Sequence, residues 1–306
     1  MDVTTTLEIK NTSMKSSSWW NHLIAGGVAG AISRTCTAPV DRIKIYLQIQ
    51  TQKTGVIETV RHLVKEGGVL SMWRGNGINV LKVTPESAIK FTVYDESKRF
   101  LRGHEPRSLT VGERFLSGAL AGNVSQMFFY PMDVLKTRLA LVTKEEYMGV
   151  KNMIRDMLVK EGIKSFYRGY NAFAVGITLY CGIDLTVYET LKQNYLWYME
   201  EESTLNPLII LGCCTLSSSV GQLATYPLAM LSTRHMATVI HKGEEVLKKR
   251  FFEKNMLRLL WQISRNEGVS GLYRGLIPNF MKSIPAVGIT YIVYEYTINL
   301  LGYSMT

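Results

Sequence analysis

Pro39-Val40-Asp41-Arg42-Ile43-Lys44, then Pro131-Met132-Asp133-Val134-Leu135-Lys136, then Pro227-Leu228-Ala229-Met230-Leu231-Ser232: one pattern returns three times, its prolines 92 and 96 residues apart. Other landmarks keep the same order around it. An acid-Gly pair follows each proline, at Glu66-Gly67, Glu161-Gly162 and Glu267-Gly268. An aromatic-Arg-Gly triplet comes next: Trp73-Arg74-Gly75, Tyr167-Arg168-Gly169 and Tyr273-Arg274-Gly275. Nineteen residues after each triplet's glycine stands a Tyr-acid pair: Tyr94-Asp95, Tyr188-Glu189 and Tyr294-Glu295. Self-similarity at a fixed period means a stacked or symmetric architecture of equal units. The chain divides into repeats over 19–102, 111–198 and 205–301, preceded by a polar tail over 1–18 with no cleavable targeting pattern.

Hydropathy decides what kind of unit repeats. The chain has 306 residues, 46% of them apolar. Ser203 to Thr233 is a run of 31 residues without Asp, Glu, Lys, Arg or His; Phe115 to Met132 gives 18 more and Gly169 to Ile183 another 15. A membrane-spanning helix needs about 20 mostly apolar residues, so an ordinary soluble domain is disfavoured. Small residues recur before each proline (Gly26 and Gly30, Gly118 and Gly122, Cys214 and Ser218), a spacing that lets membrane helices approach closely. Each proline removes a helical hydrogen bond and bends its helix. Between the apolar stretches, segments such as Thr54–Glu66 and Met148–Glu161 read as short amphipathic helices at the interface. The expected fold is all-α: six transmembrane helices in a pseudo-threefold bundle with three short helices on one side. The third repeat's longer connection, with Lys242-Gly-Glu-Glu and Lys248-Lys-Arg250, reads as a solvated charge run.

Lysine and arginine exceed the acids by 35 to 25, a formal charge of +10. Such an excess suits nucleic acid, an anionic membrane or small anionic solutes; in a membrane bundle no nucleic-acid partner is expected. Positive loops that orient the helices account for part of it. Cys36, Cys181, Cys213 and Cys214 show neither disulfide nor metal spacing. No nucleophile, base or metal cluster recurs with usable spacing, so no enzyme is expected.

The threefold Px[DE]xx[KR] pattern, with aromatic-[KR]-Gly after it, resembles the mitochondrial carrier family across roughly residues 19–301. Within it, Ser33–Lys44, Trp73–Lys82, Gly182–Glu189 and Pro278–Lys282 are similar to the ATP-Mg/phosphate carriers, commonly preceded by an EF-hand region. No EF-hand loop pattern occurs here, which implies a form without the calcium switch. The resemblance implies a monomeric, multi-pass antiporter of the mitochondrial inner membrane. It would exchange adenine nucleotide (ATP-Mg or ADP) for phosphate by alternating access, with no cofactor and Mg²⁺ carried as part of the substrate. Another nucleotide-like anion such as coenzyme A or AMP is the first alternative. A degenerate homologue that leaks ions or transports nothing is the second.

The resemblance also implies site residues. The acid two after each proline and the base five after it close the cavity on the matrix side: Asp41, Lys44, Asp133 and Lys136, with Gln48 as a brace. On this reading Asp41–Lys136 is one pair, Asp133 faces Ser232 in place of a cation, Lys44 faces Ala229, and the ring is weak. Asp95, Lys98, Glu189, Lys192 and Glu295 form the cytoplasmic gate, where Ile298 replaces the third base. Substrate contacts fall at levels where the repeats differ. Three residues before the even-helix kink position (Pro85, Leu179, Pro285) stand Lys82, Gly176 and Lys282, with Ile177 beside Gly176. Lysines in mid-membrane are costly and usually face a cavity, where two would suit phosphates. Gly176-Ile177 offers a patch for adenine. Arg34, aligned with Gln126 and Gln222, is a further phosphate ligand. Lys90 and Asp184 share another level, Asp184 reaching either Lys90 or a bound Mg²⁺ through water, and Tyr180 could stack on the base. The triplets Arg74-Gly75, Arg168-Gly169 and Arg274-Gly275 are implied cardiolipin sites, their helix N-termini receiving the headgroup.

Overall fold

The computed structural model describes residues 3–50, 54–103, 109–142, 149–198, 207–237 and 256–301. Each repeat is a long helix, a short helix and a second long helix. These are α1 (Val3–Ile49), α2 (Val56–Gly67) and α3 (Asn76–Arg102), then α4 (Val111–Leu141), α5 (Val150–Glu161) and α6 (Tyr170–Tyr198). The third repeat has α7 (Pro207–Ala237), α8 (Met256–Glu267), a single turn α9 (Val269–Leu272) and α10 (Leu276–Leu300). In the first two repeats, 3₁₀ turns at Val69–Trp73 and Ile163–Tyr167 replace α9. The segment read as a polar tail continues α1 back to Val3. The charge run at 242–250 lies outside the described residues.

The shortest long helix has 25 residues. That is about 37 Å at 1.5 Å per residue, enough for a hydrocarbon core of about 30 Å. By hydropathy alone, two stretches of the described residues qualify as spans, Ile163–Tyr195 and Val269–Leu300. The remaining long helices dilute the signal with polar residues that face one another inside the bundle, such as Lys82, Asp133 and Ser217. Pro39, Pro131 and Pro227 lie inside α1, α4 and α7, and Pro85 and Pro285 inside α3 and α10.

Helix ends follow local chemistry. Thr110 and Glu113 form a reciprocal capping box at the start of α4, satisfying two otherwise orphaned N–H groups. Left-handed Gly68, Gly162 and Gly268, at φ 73–77°, close the short helices. Their registry exposes an irregularity. Glu161 and Glu267 immediately precede the left-handed glycine, whereas Gly67 separates Glu66 from Gly68.

Packing is cyclic. α3 lies beside α4, α6 beside α7, and α10 beside α1, so each repeat's last helix leans on the next repeat's first; α1, α4 and α7 also touch one another. Three apolar clusters, centred on Leu63, Tyr130 and Met230, fill the junctions between first helices and short helices. Large side chains such as Phe91, Phe128 and Ile277 stay exposed around the bundle, where lipid tails can cover them. Gly30 and Gly122 sit at close contacts: a Cβ would lie 2.7 Å from Val83 Cγ1 and 3.2 Å from Ile177 Cδ1. Gly26 and Gly118 meet nothing within 4 Å, so one residue of each of these two glycine pairs does the packing. Gly30→Val should therefore overpack the α1–α3 contact and cost about 1–3 kcal/mol, read as a lower Tm in detergent; Gly26→Val should cost less.

Candidate functional site

The ring at the C-terminal halves of α1, α4 and α7 is closed, but not by the pairs that the hexapeptide alone suggests. Asp41 accepts Lys136 Nζ at 3.3 Å, as expected, and also Lys282 Nζ at 2.6 Å. Asp133, expected to face Ser232 without a cation, accepts Lys82 Nζ at 2.7 Å. Lys82 additionally reaches Glu86 Oε2 at 3.1 Å. Both mid-membrane lysines nominated for phosphate thus hold gate acids in this state. Three inter-helix ion pairs close the ring in place of the single pair expected, because cations arrive from α3 and α10 as well as from α4.

A second set of contacts escaped the sequence reading. Lys136 donates to Asn79 Oδ1 at 3.0 Å, and Lys44 donates to Asn279 Oδ1 at 2.8 Å. Asn279 in turn donates to Gln222 Oε1 at 2.8 Å. The two asparagines stand four residues after Gly75 and Gly275, and the equivalent after Gly169 is Phe173. Where the third lysine is missing (Ser232), its asparagine is missing too. Ser232 bonds instead with Tyr130 Oη at 3.0 Å and Gly169 O at 3.2 Å. Gln48 does not brace a gate ion pair: its Nε2 donates to Tyr226 Oη at 3.0 Å, and Tyr226 donates to Arg274 O at 2.7 Å.

At the substrate level Lys82 is buried, while Lys282 and Arg34 are partly exposed. Gly176 faces α7, where a Cβ would lie 3.4 Å from Leu228 Cβ. Ile177 packs across Gly122, and the Tyr180 ring across Gly221. Asp184 accepts Ser217 Oγ at 2.7 Å and Ser218 Oγ at 3.2 Å. Those hydroxyls on α7, rather than Lys90, are its partners; Lys90 is exposed. Glu86, which no repeat pattern marks, accepts Gln126 Nε2 at 2.5 Å.

The cytoplasmic set is open by contrast. Lys98 approaches Asp95 on its own helix at 3.5 Å, and Glu189 accepts Arg114 of α4 at 2.9 Å. Glu295 is exposed and Lys192 half-buried. No ion pair among the described residues joins these acids and bases from different repeats. Ion pairs between repeats thus close one end of the bundle, and among the described residues none does so at the other.

Two of the triplet arginines reach a backbone carbonyl of the next repeat. Arg74 donates to Val142 O at 2.7 Å and Arg274 to Gln50 O at 2.6 Å, each eleven residues past the next repeat's proline. Their side chains are 13% exposed, so they are turned into the junctions rather than toward lipid. A deeper ring lies beneath. Arg42 donates to Ala140 O at 2.9 Å, Arg138 to Met236 O at 3.1 Å, and Arg234 to Gln48 O at 2.8 Å. Each acceptor is nine residues past its proline, and free C-terminal carbonyls of a helix need such donors. Arg138 and Arg234 also grip Glu161 and Glu267 through both carboxylate oxygens at 2.8–3.0 Å. Glu66, displaced by the extra glycine, stays 3.9 Å from Arg42 and Arg74. Gly75, Gly169 and Gly275 are left-handed and press on the carbonyls of Lys136, Ser232 and Lys44.

Comparison with known proteins agrees with this threefold geometry. A family model described as mitochondrial carrier protein matches residues 15–105, 107–199 and 203–304. A mitochondrial adenyl nucleotide antiporter of Danio rerio is 48% identical over 304 residues, covering 98% of this chain and 61% of the relative. One of Mus musculus is 47% identical over 294 residues (95% and 60%). A probable calcium-binding mitochondrial carrier of Caenorhabditis briggsae is 50% identical over 298 residues (96% and 55%). The chain thus spans a little over half the length of these relatives.

Proposed function

Since this chain belongs to the mitochondrial carrier family, a multi-pass transporter of the inner membrane and not an enzyme, we propose that it exchanges an adenine nucleotide for phosphate. The nucleotide is ATP-Mg or ADP, and the mechanism is alternating access about the central cavity. The observation that carries this reading is the broken symmetry at one level. Lys82 and Lys282 offer two cations, while the third position is Gly176 beside Ile177. A nucleotide has the same polarity, with phosphates at one end and a flat apolar base at the other. Arg34 adds a guanidinium suited to two-point contact with phosphate oxygens. The adenyl nucleotide antiporters among the relatives support the same class of solute.

Calcium independence belongs to the proposal, resting on the lack of an EF-hand loop pattern in these 306 residues. Cardiolipin is proposed at the N-termini of α3, α6 and α10, bound through backbone N–H groups beside Gly75, Gly169 and Gly275 rather than through the inward-turned arginines. The protein is proposed to act as a monomer, since one chain holds a full threefold set.

The test is uptake of labelled ATP by phosphate-loaded liposomes containing the protein, with and without Mg²⁺ and with and without calcium. Exchange should be stimulated by Mg²⁺, unaffected by calcium, and reduced about 100-fold or more in Lys82→Ala/Lys282→Ala, two charge-assisted contacts being lost. Folded protein that exchanges no adenine nucleotide would move the assignment to another anion or to a non-transporting role.

A further inference from the structure

Two lysines share the substrate level, yet one of them alone has an acid on its own helix beside it. Glu86 stands four residues after Lys82, one turn along α3. Its Oε2 accepts Lys82 Nζ at 3.1 Å, while Asp133 accepts the same nitrogen at 2.7 Å. The residue four after Lys282 is Ala286, and four after Gly176 it is Tyr180. An acid at this level is thus peculiar to the first repeat, where a residue serving the common architecture would recur. Glu86 is also held from outside its helix. Gln126 Nε2 of α4 donates to its Oε1 at 2.5 Å, and Ser125 Oγ donates to its main-chain oxygen at 3.1 Å. That orientation leaves Gln126 Oε1, on a side chain 8% exposed, buried with no hydrogen-bond partner among the described residues. The Glu86 side chain is 20% exposed, so a solute can reach it. The spot has acceptors to spare, and a buried acceptor left unmet is costly.

We propose that Glu86 sets which anions the site takes: it accepts a hydrogen bond from the phosphate group at Lys82, and so selects phosphates that bring a donor of their own. The inference rests on the proposed reading of a phosphate-bearing solute at Lys82. Neighbours at i and i+4 lie on one face of a helix, so an anion that meets Lys82 meets Glu86 as well. A carboxylate paired with a lysine offers only lone pairs. A bare anionic oxygen is repelled beside it, whereas a P–OH hydroxyl can donate to it. Inorganic phosphate keeps such a hydroxyl in neutral water; sulfate, of the same shape, has none. ATP brings its donor differently. Mg²⁺ on its phosphates keeps several waters, and one of those waters can donate to Glu86. Both solutes of the proposed exchange then share one feature, a phosphate edge that donates as well as accepts. Lys282, with Ala286 one turn on in place of an acid, suits the fully anionic oxygens.

Competition for uptake of labelled phosphate into phosphate-loaded liposomes tests this without any nucleotide. Against the wild type, sulfate should compete about tenfold less well than phosphate, the scale of one hydrogen bond to a charged group. Glu86→Gln, whose amide donates as well as accepts, should narrow that gap about tenfold. Glu86→Ala, which copies the third repeat, should narrow it too and serves if the first variant does not fold. Heat protection of each purified protein by phosphate and by sulfate gives the same ratio where a variant binds but does not transport. In a second arm, the ratio of ATP uptake with Mg²⁺ to uptake without it should fall about tenfold in the variants. A change in the sulfate arm alone assigns Glu86 to the P–OH, and a change in the magnesium arm alone to the metal-bound water. A role confined to joining α3 and α4 would lower Tm and slow all solutes equally, so unchanged ratios in folded variants overturn the proposal. Wild type that takes sulfate as readily as phosphate, and ATP equally with and without Mg²⁺, overturns it outright. Wild type that takes up neither phosphate nor nucleotide refutes the solute reading and this inference with it. Discrimination through Glu86 that persists without any nucleotide exchange refutes the nucleotide alone.

Discussion

Arg138→Ala should cost about 3–5 kcal/mol of stability, the usual penalty for breaking a buried ion pair from one side. The guanidinium is 3% exposed and makes a bidentate pair with Glu161 at 2.8 and 3.0 Å while capping the carbonyl of Met236. Its removal leaves Glu161 to Arg168 alone, at 3.0 Å, and uncaps α7 at once. Arg234→Ala should behave alike, since Arg234 holds Glu267 at 2.8 Å and caps α1 at Gln48. Arg42→Ala should cost distinctly less, because Glu66 stands 3.9 Å away and the charge pair is already loose. Thermal unfolding of the three variants in one detergent checks the order. Equal losses would show that the displaced glutamate has no energetic consequence.

Gly169→Ala is the second large effect expected. The residue has φ 83°, where a side chain costs about 1–3 kcal/mol in backbone strain. Its Cβ would also lie 2.9 Å from Ser232 O and from Tyr130 Oη. The first of these is backbone and cannot swing aside, so α6 must move away from α7. Lower thermostability and weaker exchange should appear together. Gly118→Ala, where a Cβ meets nothing within 4 Å, is the control and should be neutral or slightly stabilising, alanine being the better helix former.

Most of the fold could be read from four landmarks repeated three times, because symmetry forces equal residues into equal places. The levels of the candidate site were legible for the same reason: Lys82, Gly176 and Lys282 align by counting. Their partners were not. Counting compares position with position among α1, α4 and α7, but Asp133 is met by a lysine on α3, one level away and on a different kind of helix. Which side chain crosses that gap depends on helix rotation and on the gate being closed, and neither is written in spacing. Asn79 and Asn279 did carry a visible signal, four residues past a triplet glycine. The arginine ring was hidden by its registry, three residues after proline for Arg42 and seven for Arg138 and Arg234. Only the shared acceptors, nine residues past each proline, reveal it as one ring.

The direction of that ring bears on how the protein is made. The carbonyls of Gln48 and Gln50, near the end of the first membrane helix, are capped by Arg234 and Arg274. Those residues lie 186 and 224 positions further along the chain. A chain holding only the first two repeats would therefore leave one seam unsealed and polar backbone exposed beside it, a state that lipid satisfies poorly. Insertion of the third repeat seals the first. A chain truncated before Arg274 should be recognisable to the cell's quality-control proteases by that open seam, however well its first two repeats have formed.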